Sequence, residues 1–260
     1  ILFFILYAKN LFTRVSALVF LLYPSIALYS ALSLRDTLIF FFMVLGVVYA
    51  RQSKPLKSML SLLPLYMFKF QNFFILIPII LIYFLFKVSK NGMSPIKAFL
   101  ILLISSISII IAAPQTIPLI NYFRGAMYVE DGGDPKDIEL ISGIGDLIQE
   151  GITSGLYFLL KPFLWESSSL FVLIQSLENL GILLITFLIT KRAFTTKPDK
   201  LIFWLLFLIF SMSVYGLVVF NYGTAARYRY PFIMIYILFV CADCEINQLF
   251  NKKKKQNSIT

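Results

Sequence analysis

Short clusters of lysine and arginine alternate along this chain with long apolar runs, and only a lipid bilayer makes such an alternation a stable pattern. Sixteen of the twenty-three Lys and Arg residues fall in five segments, 8–14, 51–57, 87–97, 191–200 and 251–260, with Asp199 their only acid. Short loops that retain Lys and Arg lie on the cytoplasmic side. The five segments are therefore expected inside and the stretches between them outside. Residues 114–169 hold eight of the thirteen carboxylates against only Arg124, Lys136 and Lys161, so functional groups are sought on the outer side.

In lipid the backbone has no water to bond to, and each long apolar run must close its own hydrogen bonds as a helix. After a remnant before Ala8, eight runs qualify: 15–34, 37–50, 58–68, 73–86, 98–113, 170–190, 201–220 and 232–248. The expected fold class is all-α: a polytopic α-helical integral membrane protein of about eight transmembrane helices. Three runs, 37–50, 58–68 and 73–86, fall well short of the roughly 17 to 25 residues of a full span, the last two being the pair around Lys69, Gln71 and Asn72. Counting that pair as two crossings keeps every basic cluster inside; merging it into one reverses the later loops. The expected divisions are helices in 1–113, an acidic extracytoplasmic loop in 114–169, helices in 170–250 and a basic cytoplasmic tail in 251–260. The expected location is the cell inner or plasma membrane, with the C-terminus cytoplasmic.

Composition bears on partners. A chain 59% hydrophobic with a mean hydropathy of +0.86 is not a soluble domain. Its net charge of +10 is loop charge that sets topology, so no nucleic-acid partner is expected, and Lys252 to Lys255 suit anionic inner-leaflet lipid. The chain opens on Ile1 in mid-hydrophobic run, which reads as the C-terminal part of a longer protein. Within 114–169, Asp134-Pro135 reads as a helix start, and Ile138, Leu140, Ile141, Ile144, Leu147 and Ile148 recur at helical spacing. An amphipathic helix on the outer surface, or covering a cavity, is predicted there. Leu156 to Trp165 adds an apolar patch with Trp at the interface. No internal repeat is visible, which weakens an inverted-repeat transporter.

Asn221-Tyr-Gly-Thr-Ala-Ala-Arg-Tyr-Arg-Tyr-Pro231 is the sharpest local signal. Pro231 disfavours helix at Tyr230, so an extended run is predicted, with Arg227 and Arg229 on one side and Tyr228 and Tyr230 on the other. Two guanidiniums on one side make a fork for phosphate oxygens; the competing reading has both snorkel to headgroups. Arg35 and Asp36 open the helix after 15–34. There Asp36 either caps the helix or orients an acceptor hydroxyl or cation, and Arg35 either meets headgroups or joins the clamp. Gln175, Glu178 and Asn179 share one face about two turns inside a span, as interhelical bonds or as the floor of a cavity. With no His in the chain, a Ser-His-Asp relay, a His metal site and a His base are excluded. Cys241 and Cys244 read as reduced structural thiols. No cofactor is required by these residues. A divalent cation at Asp131-Gly-Gly-Asp134 competes with a plain acidic turn.

Tyr23-Pro24-Ser25 with Ser30 and Leu34-Arg35-Asp36, then Leu160-Lys-Pro-Phe-Leu-Trp-Glu166, then Gly223-Thr-Ala-Ala-Arg-Tyr-Arg-Tyr-Pro231, resemble polytopic proteins of surface-polysaccharide loci. These are O-antigen-type polymerases and GT-C membrane glycosyltransferases that use polyprenyl-linked sugars. The resemblance implies attack by a sugar hydroxyl on a polyprenyl-phosphate-linked donor at the outer face, beside membrane lipid and other polysaccharide-assembly proteins. Arg35, Arg124, Arg227 and Arg229 would stabilise the departing phosphate, with Asp36 and Tyr230 as further substrate contacts and Glu178 and Asn179 as cavity groups. The catalytic acid of GT-C enzymes lies in their first outer loop, outside this sequence, so no catalytic residue is assigned. A lipid-linked oligosaccharide flippase or other transporter, and a non-catalytic assembly protein, remain open alternatives.

Overall fold

The computed structural model describes residues 2–8, 10–85, 92–130, 132–134, 136–167 and 169–246. All regular structure among them is helical. Helices α1 (Leu2–Ala8), α2 (Arg14–Leu22), α3 (Pro24–Leu32), α4 (Leu34–Arg51), α5 (Pro55–Phe68) and α6 (Phe70–Leu85) come first. Then follow α7 (Pro95–Glu130), α8 (Ile144–Leu160), a 3-10 turn (Leu164–Glu166), α9 (Leu170–Thr196), α10 (Pro198–Gly216) and α11 (Tyr222–Asp243).

Local chemistry sets many of these boundaries. Thr13 and Ser16 form a reciprocal capping box at α2. Tyr23 stands extended between α2 and α3, and Pro24 opens α3, so the 15–34 run is two helices bent by 50°. Ser33, not Asp36, caps α4: its hydroxyl accepts the Asp36 N–H, leaving Asp36 buried in the first turn.

Among the described residues three helices are long and apolar enough to cross a membrane, α9, α10 and α11. The number is five if two bent pairs each count as one span: α2 with α3, and the arms of α7, Pro95–Ser105 and Ile110–Glu130, bent by 64°. The expected number of about eight crossings is not confirmed by length and composition. At about 1.5 Å per residue, the 14 residues of α5 reach about 21 Å and the 16 of α6 about 24 Å, short of the roughly 30 Å hydrocarbon core. Ile104, Ile107 and Ile111 of α7 and Leu184, Phe187 and Leu188 of α9 are exposed, and apolar faces of this extent call for a cover other than water.

The chain forms two compact units. One comprises Ile1–Met93, Ile182–Phe207 and Pro231–Thr260, the other Ser94–Gly181 and Leu208–Tyr230. In the first, α4, α5 and α6 pack on one another. Ser58 Oγ donates to Gly46 O at 2.8 Å, and a Cβ on Gly46 would meet Leu62 at 2.5 Å. The core gathers Met43, Leu62, Leu76 and the run Phe232 to Val240, none more than 1% exposed. Trp204 stacks on Phe239 and donates Nε1–H to Asp243, whose other oxygen accepts from Arg51 Nε at 2.6 Å.

In the second unit Ile141, Leu147 and Leu217 form a small core with Ile117, Ile120 and Val218. Here α8 and α10 cross at close range. A Cβ on Gly216 would lie 2.3 Å from Ser154 O, and one on Gly155 would lie 2.8 Å from Ser213 Cα. Phe158 stacks on Tyr215 beside that crossing.

Two sequence expectations are corrected. The loop helix begins at Ile144, not at 134–135, and α7 carries helix on to Glu130. Residues 136–143 are not helical because part of their backbone bonds to α7. Asn121 exchanges two hydrogen bonds of 2.9 Å with the Ile141 peptide groups, and Arg124 Nη2 donates to Glu139 O. Asp134 instead accepts the Lys136 N–H in an Asx-type turn; Asp131 and Pro135 lie outside the described residues. The second correction is at Pro231, which sits inside α11. The run 222–230 is helical rather than extended, so the proline costs one backbone bond without ending the helix.

Candidate functional site

The C-terminal end of α8 organises the second unit. A helix leaves its last four carbonyls without intrahelical partners and carries partial negative charge there. Arg229, 3% exposed, turns its Nη1 to the carbonyls of Phe158 at 2.7 Å, Leu159 at 3.0 Å and Lys161 at 2.7 Å. Asn179 Nδ2 donates to Leu160 O at 2.6 Å. One guanidinium and one amide thus cap the whole helix end. Neighbours on the same α9 face hold the chain on either side: Ser176 Oγ bonds to Phe163 O, and Gln175 Nε2 to Tyr222 O at 2.8 Å.

Lys161 follows this cap. Its Nζ lies 3.0 Å from Glu166 Oε1 and 4.6 Å from the Tyr157 ring centroid. The hydrogen bond to Glu166 outweighs burial and raises the lysine above its ordinary value. Burial pushes the Glu166 carboxyl up, but the Phe163 N–H, the Lys161 ammonium and the Tyr222 hydroxyl together hold it below the ordinary value. The Phe163 N–H reaches Glu166 Oε2 at 3.0 Å, and Phe163 stacks on Trp165 at 4.7 Å. Beside this clasp lies a cavity of about 190 Å³ whose walls include Tyr157, Phe158, Lys161, Phe220 and Tyr222.

Three of the four arginines expected to form a phosphate clamp, Arg35, Arg124 and Arg229, donate to backbone carbonyls. Arg35 directs both Nε, at 3.0 Å, and Nη2 to Phe68 O at the end of α5. Arg124, 4% exposed, donates to Leu217 O at 2.8 Å and to Glu139 O at 3.1 Å, with Glu150 at 3.8 Å. Arg227 is half-buried on α11. Two residues apart on a helix they point about 200° from each other, so Arg227 and Arg229 do not share a side. Tyr230 is buried at 1% exposure. Asn179 is buried as a cavity group would be but serves the α8 cap, while Glu178 is half-buried. Arg124, Asn179, Arg227, Arg229 and Tyr230 belong to the second unit; Arg35 and Asp36 belong to the first.

Lys161 and Glu166 entered the sequence reading only within a motif of the family resemblance, beside an apolar patch at 156–165, and neither they nor the tyrosines around them were given a site role. The available signal was an opposite-charge pair enclosing Pro162, Phe163 and Trp165. Cys241 and Cys244 are buried free thiols. No group of three or more His, Cys, Asp or Glu gathers to hold a metal among the described residues.

Helices of spanning length with apolar faces, together with a lysine-bearing aromatic cavity, are consistent with an all-α membrane protein. No family model, curated protein or solved structure matches the chain.

Proposed function

We propose that the chain is a membrane glycosyltransferase or polymerase of cell-surface polysaccharide assembly, taking sugar from a polyprenyl-phosphate-linked donor at the outer face of the cell inner or plasma membrane. The observation that carries this reading is a lysine in the wall of an aromatic cavity on a helix that also has an exposed apolar face. Tyr157, Phe158, Lys161, Phe220 and Tyr222 wall the cavity, and another face of α8 exposes Ile148, Ile152 and Leu156 at i, i+4 and i+8. Apolar helix surface suits a prenyl tail and the ammonium suits a phosphate. Positive charge there would stabilise the departing phosphate as an acceptor hydroxyl attacks the sugar.

Sidedness supports the outer assignment. With basic segments inside, the start of α4 and the end of α5 both fall outside, and Arg35 meets Phe68. The ends of α4 and α11 both fall inside, and Arg51 meets Asp243. Lys197 pairs with Glu245 on the same side, and the Met93 N–H meets Asp199 O. The short α5 and α6 leave this orientation intact. As two tilted crossings they complete the eight spans, and as a re-entrant pair they add none, so 51–57 and 87–97 share a side either way. The C-terminus is then cytoplasmic.

The test is sugar transfer in membranes containing the protein, supplied with polyprenyl-phosphate-linked donors and an oligosaccharide acceptor. Donor-dependent transfer, absent from control membranes, is the expected result. Folded protein that transfers from none of the donors would overturn the reading.

A further inference from the structure

The clasp between Lys161 and Glu166 sits where an anionic ligand would have to bind. Three observations converge on this point. The cavity of about 190 Å³ is smaller than the roughly 300 to 1,000 Å³ of sites enclosing whole drug-sized ligands, so it admits a headgroup and leaves the rest of an amphiphile outside. Lys161, the one cation among its described lining residues, is 30% exposed and paired with a 22% exposed carboxylate. Both partners of the pair are still reached by solvent, so a competing anion can approach the ammonium, and a phosphate offers it three acceptor oxygens. Finally, the cavity lies at a helix C-terminus, whose partial negative charge ordinarily repels anions. Arg229 and Asn179 occupy the carbonyls of residues 158 to 161, which cancels that repulsion.

We propose that the cavity beside Lys161 is a phosphate subsite in which Lys161 is the ligand, Glu166 is a resident competitor that the phosphate displaces, and Arg229 is a positioning residue that neutralises the end of α8. The proposal rests on the lipid-linked donor reading for the source of the phosphate. Lys161 remains charged across the neutral range because its pKa is raised. On displacement the Glu166 carboxylate keeps the Phe163 N–H and swings away from the ammonium, so no proton need move.

The experiment uses the full chain in phosphatidylcholine nanodiscs, with farnesyl phosphate, farnesol and inorganic phosphate as probes. Lys161→Ala should weaken farnesyl phosphate binding about ten- to a hundredfold, the loss of one charge-assisted bond, and leave farnesol unchanged. Lys161→Arg should bind within a few-fold of the unaltered protein. Glu166→Gln should bind several-fold more tightly, and a gain in affinity cannot come from misfolding. If the clasp is only a structural staple, Lys161→Ala and Glu166→Gln weaken binding alike, which overturns the proposal. Farnesyl phosphate binding that ignores Lys161 overturns the subsite while leaving the donor reading in place. Inorganic phosphate binding as tightly as farnesyl phosphate, still through Lys161, upholds the subsite and removes the lipid-linked donor. No binding of any probe overturns both.

Discussion

Replacing Arg229 separates a helix cap from a substrate ligand. In Arg229→Ala the carbonyls of Phe158, Leu159 and Lys161 lose their shared donor at 2.7, 3.0 and 2.7 Å. Hydrogen bonds from a charged donor contribute about 1.5 to 3 kcal/mol each. One Nη1 group has two hydrogens for three acceptors, so two full bonds set the gross loss at about 3 to 6 kcal/mol. Burying the guanidinium costs part of that, leaving a net destabilisation of about 3 kcal/mol. For a chain of this size each kcal/mol moves Tm by about 2 to 4 °C, so thermal unfolding in detergent micelles should fall by about 6 to 12 °C. Arg229→Lys keeps a charge but not the fork and should recover about half. Asn179→Ala, losing the 2.6 Å bond to Leu160 O, should cost about 1 kcal/mol. An Arg229→Ala protein that melts with the unaltered one would refute the capping account and return Arg229 to the ligand role read from the sequence.

The α8–α10 crossing predicts that Gly216→Ala destabilises by about 2 kcal/mol or more, since its Cβ would meet backbone 2.3 Å away. Gly151→Ala, with nothing within 4 Å, is the control, and equal Tm values for the two would count against the packing. On a cysteine-free background, Asp137→Cys should label from outside and Thr195→Cys only after permeabilisation; both positions are exposed, and outside labelling at 195 would overturn the orientation. The clasp should also respond to acid. Glu166 has a depressed pKa, so its contribution is complete above the ordinary glutamate value of 4.5 and fades as pH falls through the lower folded value. Lys161 is raised, so its share is complete below the ordinary 10.5 and fades only as pH rises past it. Trp165 fluorescence in a Trp204→Phe background should therefore be flat through neutrality and change in acid, and Glu166→Gln should abolish the acid limb.

Hydropathy made the helices legible because in lipid an apolar run has few other ways to satisfy its backbone. Each of the eight runs falls largely within a helix or a bent pair. Crossing number was less legible, since Lys54 and Lys69 bound α5, and α6 starts directly after Lys69, which splits one apolar region into two short helices. The stripe from Ile138 to Ile148 misled because spacing records which residues are apolar and not where the backbone finds its partners; Asn121, twenty residues upstream, takes the Ile141 peptide groups. Pro231 misled because a local preference of the preceding residue was weighed without the packing of α11. The carbonyl partners of the arginines were illegible for a related reason. Arg229 reaches carbonyls 68 to 71 residues away, and such a tertiary cap leaves no periodicity in the sequence.

The close approach of Gly155 and Gly216 also decides what α8 can do mechanically. A flap opens by parting from its neighbour, but α8 is seated backbone against backbone on α10 and pinned at its far end by Arg229. In a bilayer, where close packing holds helices together, that makes α8 a wall and not the cover its amphipathic pattern suggested. The turn from Lys161 to Glu166 that borders the cavity is held by its ion pair, by the Phe163 N–H on Glu166, by Ser176 on the Phe163 carbonyl and by the stacked rings of Phe163 and Trp165.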